Sequence, residues 1–212
     1  MSRIIDISPL ISPSTAVWPG DVPFSQTFAC RISEGSNIDL SSIQSTVHIG
    51  AHCDAPSHYA AVGESIETRD LSFYYGDAQV VHVSIEQGRR VYPEDLGCDI
   101  VAPRVLIATN SMPDPNHFNT DFCSLSPELV HFLADRGVVL VGIDTPSVDP
   151  ADSKALESHQ AIAERNLAIL EGVVLGAVKA GVYILSALPL RIQGADASPV
   201  RAVLIEKERN AG

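Results

Sequence analysis

Residues 48–58 read His48-Ile49-Gly50-Ala51-His52-Cys53-Asp54-Ala55-Pro56-Ser57-His58 and hold three of the seven histidines in the chain. All four side chains that can bind a metal through nitrogen or carboxylate oxygen occupy even positions: His48, His52, Asp54 and His58. Alternate side chains of an extended backbone share one face, so this pattern groups imidazoles with a carboxylate. Such groups form a ligand set for a divalent ion such as zinc. The stretch therefore predicts a metal site.

A straight strand cannot bring all four groups to one ion. It would separate the first and last histidines by roughly 33 Å at about 3.3 Å per residue, whereas ligand atoms lie about 2 Å from the ion. His52 and Asp54 can converge as they stand, but His48 requires a bend, which Gly50 permits. Pro56 ends strand pairing and turns the chain, so we expect the last histidine to lie over the site without binding the ion.

The composition is that of an ordinary globular protein. The 212 residues are 45% hydrophobic and 19% charged, which predicts a single domain over 1–212 with a substantial core. The net charge of −12 argues against nucleic acid and anionic membranes as partners, because phosphate binding requires clustered Lys and Arg. The four cysteines form no C-x-x-C pair and the N-terminus has no apolar leader segment, so we expect a cytoplasmic protein with reduced thiols.

Strand and helix patterns alternate in the second half of the chain. Residues 104–109 and 138–143 have the apolar character of buried strands. Between them, Ser126 is a suitable N-cap for a helix that runs to about Arg136 and ends at Gly137. This alternation indicates an α/β protein.

Three further elements are predicted from weaker patterns. A first strand is expected over 3–11, and a helix from Ser153 to about Glu164. The apolar stretch 172–190 is about as long as a membrane span, but Lys179 interrupts it, so two strands are expected there. A polar tail after the last strand is expected to fray.

His159 and Glu171 stand out downstream. Glu171 lies between apolar residues, where a buried carboxylate is costly unless it is paired or bound to a metal. In one continuous helix the two side chains would be about 18 Å apart along the axis. They can meet only if the helix ends between them, and Asn166 is a plausible stop.

Trp18 is the only tryptophan and is followed by Pro19-Gly20, a turn pattern. We therefore expect its ring to be partly exposed on a loop, where aromatic faces often contact ligands.

The pattern of residues 48–58 resembles the signature of the cyclase-like metal-dependent amidohydrolases. It is most similar to that of the bacterial metal-dependent kynurenine formamidases, or arylformamidases. Two further blocks carry the resemblance: 17–21, and 143–150 leading to His159 and Glu171. Ala51, at a position where the wider family usually has Thr, favours the formamidase subgroup.

The resemblance implies a strand-rich, barrel-like core of the swivelling β/β/α type with peripheral helices, and a homodimer. It implies hydrolysis of N-formyl-L-kynurenine to L-kynurenine and formate in tryptophan degradation, with two divalent ions, zinc being expected. By position, it assigns His48 and His52 to the first ion, His159 to the second, Asp54 and Glu171 as bridges, His58 as general acid/base, and Trp18 to the substrate. This chemistry is reasonable, because zinc lowers the pKa of water to about 7 and a histidine can protonate the leaving nitrogen.

Several alternatives stay open. The same ligands could serve hydrolysis of a cyclic amide such as isatin, and these ligands also accept manganese, cobalt or iron. A non-catalytic metal-binding domain is disfavoured, because structural zinc sites often use cysteines and none is positioned to bind here. A serine hydrolase is disfavoured because the sequence has no G-x-S-x-G motif. Asp144 and Asp149 could line the pocket, but loop or capping roles are expected for both.

Overall fold

A computed structural model describes residues 2–207. Within this range the chain forms thirteen strands: β1 (Ile4–Asp6), β2 (Ser25–Cys30), β3 (Leu40–Gln44), β4 (His52–Asp54), β5 (Tyr75–His82), β6 (Arg90–Val91), β7 (Arg104–Ala108), β8 (Ser124–Leu125), β9 (Leu140–Ile143), β10 (Ala168–Leu170), β11 (Gly181–Ser186), β12 (Ala197–Pro199) and β13 (Val203–Glu206). It also forms three α-helices: α1 (Pro56–Tyr59), α2 (Pro127–Ala134) and α3 (Glu157–Glu164). The tail that was predicted to fray lies almost wholly outside the described residues.

Seven strands form one curled sheet that makes half a barrel, in the order β1-β13-β11-β5-β7-β9-β10. Strands β5, β7, β9 and β10 are parallel, and α2 and α3 make the connections into β9 and β10. Strands β11, β13 and β1 extend the sheet in antiparallel fashion. Parallel strands need such helical crossovers, so the alternation predicted from the sequence is confirmed as a mixed α/β fold.

Both faces of β7, in the middle part of this sheet, are buried. In β7, Val105 and Ile107 face the core that includes α2 and α3. Leu106 and Ala108 point to the opposite core, which also contains Cys53 of β4. This alternation explains why residues 105–108 are all apolar, as predicted for a buried strand over residues 104–109.

Helix α2 begins where its sequence predicts and ends at Ala134, two residues before the predicted end. The Ser126 hydroxyl accepts a hydrogen bond of 3.0 Å from the Leu129 amide, and it therefore caps one of the free donors of the first turn. Gly137 follows the helix with a φ of 79°, a left-handed conformation that glycine adopts at little cost.

The strand predicted over 3–11 is too long, because only β1 forms. The Ser8 amide donates to the side chain of Asp6, and Pro9 has no amide to donate. The predicted start of the second helix at Ser153 is also wrong. Ser153 accepts a hydrogen bond from the amide of Leu156, which has a left-handed φ of 50°, so the helix begins only afterwards, as α3.

Residues 172–190 contain one strand, β11, and the prediction of two strands is wrong. The segment before it is an irregular loop that buries Val173, Leu175 and Val178. One of the hydrogen bonds that hold this loop runs from the Val174 amide to the Ile7 carbonyl, at 2.7 Å. Apolar character here reflects loop packing against the core. Among residues 2–207, no helix has the length and apolar character needed to cross a bilayer.

Candidate metal centre

The N-terminal and C-terminal ligand candidates meet through backbone pairing. The His52 amide donates to the Glu171 carbonyl at 3.1 Å, and the Glu171 amide donates to the His52 carbonyl at 2.9 Å. Gly172 has a φ of 66°, and a Cβ there would lie 2.2 Å from the Gly50 carbonyl oxygen. Only glycine fits this close approach. The pairing places the Glu171 carboxylate beside the side chains of β4.

The ligand stretch bends where its glycine and proline stand. Gly50 has a φ of 58°, so the backbone turns before β4 and His48 folds back towards Asp54, as predicted. Only β4 is extended, because Pro56 begins the short helix α1. The interpretation of the stretch as an extended backbone therefore holds for three residues. Helix α1 carries His58 back over the site, as expected.

Helix α3 ends between His159 and Glu171, and the chain can therefore turn back and bring the two side chains together. The helix stops at Glu164, and Asn166 has a left-handed φ of 50° before the chain enters β10. His159 Nε2 lies 3.5 Å from Asp54 Oδ2 and 3.8 Å from Glu171 Oε1. The structure thus brings together the two downstream residues and β4, as the sequence predicts.

Each carboxylate turns its two oxygens to different histidines. Asp54 Oδ1 lies 3.0 Å from His48 Nδ1 and 3.5 Å from His52 Nε2, while its Oδ2 faces His159. Glu171 Oε2 lies 3.1 Å from His52 Nε2, while its Oε1 faces His159. The cluster therefore has two halves that share both carboxylates.

The histidine rings are oriented for binding a cation. His52 Nδ1 lies 2.9 Å from the Gly50 carbonyl oxygen, and His159 Nδ1 lies 2.8 Å from Asp149 Oδ2. These oxygens only accept hydrogen bonds, so each Nδ1 carries a proton. In the neutral ring the Nε2 lone pair then points to the carboxylates. Metal-binding histidines typically have this arrangement, with the outer nitrogen bonded to an oxygen.

The hydrogen bonding of Asp54 shows whether this group of residues suits a metal ion. Asp54 is 2% exposed, and among the described residues no group donates a hydrogen bond to its Oδ1, although His48 Nδ1 is nearby. A buried carboxylate oxygen without a donor is costly, and a cation would satisfy it. Ligand atoms of His52, Asp54 and Glu171 lie within 4.8 Å of one another, as do those of His48, Asp54 and His58. The donor set fits a divalent ion, and its geometry also allows His58 as a ligand.

The site attracts positive charge. Burial opposes ionisation of Asp54, but the neighbouring imidazoles of His159 and His48 hold its pKa well below the usual range. Burial also opposes charge on His48, yet Asp54 and Asp196 raise its pKa to about 9. In the same way, burial is outweighed at His159 by its carboxylate neighbours, which raise its pKa to about 10. These shifts show a buried negative field that binds either protons or metal ions.

Asp149 was expected to have only a loop or capping role, but it also orients a ligand candidate. It accepts hydrogen bonds from the Ser158 and His159 amides at the start of α3, so its capping role is confirmed. It also contacts the His159 ring. Burial opposes its charge, but these hydrogen bonds lower the pKa of Asp149 to about 2. The position of Asp149 before a helix indicates a capping role in the sequence. The ten-residue separation from His159 does not indicate that the two side chains meet.

Asp149→Asn is expected to weaken zinc binding about 10- to 100-fold, because the His159 ring loses the acceptor that fixes its tautomer. Competition with a chromophoric chelator measures this affinity. Asp152→Asn, at an exposed aspartate in the same loop, is the matched control and should bind zinc like the wild type. Equal affinities for the Asp149→Asn protein and the control would contradict the orienting role.

A cavity of about 610 Å³ opens beside the cluster. Trp18 and Phe118 line it, and their ring centroids lie 5.3 Å apart in an edge-on arrangement. Trp18 is half-buried on its loop, as predicted. Phe118 was missed, because its segment packs on the Trp18 loop only in the folded protein, through the Ala16 amide and the Pro115 carbonyl.

Comparison with solved structures places this architecture among metal-dependent hydrolases. One, described as a potential metal-dependent hydrolase with cyclase activity, is 26% identical with a TM-score of 0.84, covering 99% of this chain and 100% of that chain. A predicted metal-dependent hydrolase from Bacillus stearothermophilus is 24% identical with a TM-score of 0.81, covering 98% and 100%. Isatin hydrolase A from Labrenzia aggregata, bound to benzyl benzoate, is 19% identical with a TM-score of 0.80, covering 98% and 94%. The last two show a shared fold.

A family model described as putative cyclase matches residues 5–150, more than half of the chain. This range includes the whole of the ligand stretch, and the solved structures extend the similarity over the part that carries His159 and Glu171. The resemblance drawn from the sequence is thus confirmed at the level of the wider family. The chain belongs to the putative cyclase family.

Proposed function

We propose that this protein is a metal-dependent arylformamidase that hydrolyses N-formyl-L-kynurenine to L-kynurenine and formate in tryptophan degradation. The observation that carries the proposal is the pair of buried carboxylates, Asp54 and Glu171, shared between two histidine groups beside an aromatic cavity. Shared carboxylates suit two neighbouring cations, because they hold the ions together and reduce their repulsion. The aromatic wall of the cavity, formed by Trp18 and Phe118, suits an aryl substrate.

The residues of the cluster divide between two ions, for which zinc is the expected metal. His48 and His52 would hold the first ion, His159 the second, and Asp54 and Glu171 both. When bound, such ions supply a hydroxide nucleophile near neutral pH and polarise the carbonyl group.

His58 is the residue proposed to move the proton. Its side chain is 36% exposed, whereas those of His52 and His159 are almost fully buried. Its Nδ1 lies 3.3 Å from Asp196 Oδ2, which leaves Nε2 free to exchange a proton. The nitrogen of an anilide must gain a proton as it leaves, and a histidine suits that step.

Recognition of the substrate is assigned to the aromatic wall, because a formyl group is too small to supply much binding energy. Trp18→Ala is expected to raise KM for N-formylkynurenine about 10-fold, which corresponds to the ~1.4 kcal/mol of an aromatic contact. Metal content should stay unchanged. Steady-state kinetics with the Trp18→Phe protein as control would show near-normal KM, whereas equal KM values for all three proteins would contradict the contact.

The proposal is tested with zinc-loaded protein by measuring formate release from N-formylkynurenine and ring opening of isatin. Isatin is the rival substrate because isatin hydrolases share the fold. We expect the higher kcat/KM with N-formylkynurenine and loss of both activities after chelation. A higher kcat/KM with isatin would overturn the proposed substrate. Turnover of neither compound by metal-loaded protein would overturn the arylformamidase assignment.

A homodimer is proposed from the exposure of the hairpin formed by β2 and β3. All five residues of β3 are exposed, including Leu40 at 53% and Ile43 at 69%. A lone two-stranded hairpin is marginally stable in water, and exposed apolar side chains favour association. Ile43→Asp is expected to shift the protein from dimer to monomer in size-exclusion chromatography with light scattering. Val62→Asp, at a fully exposed valine, should remain dimeric. A monomeric wild type would contradict the proposal.

A further inference from the structure

Asp196 is held against the ligand stretch by the short sheet of β4 and β12. Ala197 pairs with Asp54 across this sheet, and the Ala55 amide donates to the Asp196 carbonyl at 2.8 Å. The strand that carries the ligand candidates therefore also fixes the backbone of Asp196. This placement depends on the tertiary fold, since Asp196 lies far downstream in the sequence.

One oxygen of Asp196 contacts two histidines. Its Oδ2 lies 3.0 Å from His48 Nε2 and 3.3 Å from His58 Nδ1, and the two ring centroids are 4.2 Å apart. A carboxylate oxygen accepts hydrogen bonds and does not donate them, so both nitrogens carry protons. The contact with His58 selects the tautomer in which Nδ1 is protonated and Nε2 is available.

The exposure of Asp196 separates it from the buried carboxylates. Its side chain is 49% exposed, against 1% for Asp54 and 3% for Glu171. Exposed ion pairs stabilise a fold very little. A carboxylate with this exposure, at the wall of the cavity, is therefore better explained by what it does to the histidine ring than by stability.

We propose that Asp196 is a positioning residue that orients His58 for proton transfer to the leaving nitrogen. The inference rests on the proposed function. Nε2 of His58 takes the proton that water releases on becoming the hydroxide nucleophile, and the hydroxide then forms the C–O bond. The same Nε2 then donates that proton to the amide nitrogen as the C–N bond breaks, which gives an arylamine and formic acid, and the acid ionises in solvent. Asp196 keeps its own charge throughout and fixes the ring between the two transfers.

The dependence of kcat on the leaving group distinguishes a role of Asp196 in proton transfer from a purely structural role. A poor leaving group such as aniline needs a proton as it departs, whereas 4-nitroaniline depends on it much less. We therefore expect Asp196→Asn to lower kcat for formanilide about 10- to 100-fold, part of the full effect of a general acid. For 4-nitroformanilide the loss should be at least several-fold smaller. KM should match the wild type when both proteins are assayed at saturating zinc, and elemental analysis should confirm that they carry equal amounts of zinc. Asp152→Asn, at an exposed carboxylate that does not line the cavity, is the control.

The alternative results distinguish failure of the role of Asp196 from failure of the proposed function. Equal losses on the two anilides at equal zinc content would show that Asp196 acts on the metal site through His48, and would overturn its role at His58. Unchanged kcat for formanilide would overturn it as well. A zinc-loaded wild type that hydrolyses neither anilide would instead overturn the proposed function, and the role of Asp196 with it.

Discussion

Replacement of Asp54 by Asn is expected to remove metal binding and turnover together. Its two oxygens face His48, His52 and His159, so among residues 2–207 it is the one carboxylate that lies beside every histidine assigned to the metals. An amide offers one neutral oxygen in place of two charged ones. We expect kcat/KM for formate release to fall about 10³-fold or more, because nucleophile activation and charge stabilisation are lost in one step.

Elemental analysis of the same preparations shows whether zinc is lost. The Asp54→Asn protein should remain folded, since burying a neutral amide avoids the cost of burying a charge. Its near-UV circular dichroism should therefore match that of the metal-free wild type. Asp152→Asn serves as the matched control and should keep both zinc and activity. An Asp54→Asn protein with a full complement of zinc and normal turnover would show that the cluster is not the metal centre.

His58→Ala is expected to lower kcat about 10²- to 10⁴-fold, the usual contribution of a general acid or base, while zinc content stays at the wild-type level. Kinetics with formanilide and elemental analysis measure the two quantities. His131→Ala is the control, because that histidine lies on α2 with 40% of its side chain exposed.

The zinc content of the His58→Ala protein decides between two roles. Ligand atoms of His48, Asp54 and His58 lie within 4.8 Å of one another, so His58 is within reach of an ion. Loss of zinc would make His58 a ligand. Near-normal turnover with zinc bound would contradict its proton-transfer role.

The sequence predicts the centre of the site well because local geometry determines it. Side-chain alternation places His52 and Asp54 on one face of β4, and Gly50 supplies the bend that returns His48. The apolar surroundings of Glu171 predict a buried carboxylate, and the structure shows it 2% exposed. These features depend on a few neighbouring residues and on periodicity, which a single sequence displays.

The partners around the centre could not be predicted in the same way. Asp149 and Asp196 contact the histidines through tertiary packing, and nothing in their own segments indicates which ring they face. Helix α3 starts later than predicted because Leu156 has a left-handed backbone conformation, which a leucine in the sequence does not indicate. The strand order of the half-barrel is likewise set by packing across the sheet, which local propensities do not encode.

Anomalous diffraction at the zinc edge, from crystals of the zinc-loaded protein, tests the central statement most directly. We expect two peaks per chain, one beside His48 and His52 and one beside His159, each about 2 Å from oxygens of both Asp54 and Glu171. A single peak, or peaks away from these two carboxylates, would contradict the shared dinuclear centre.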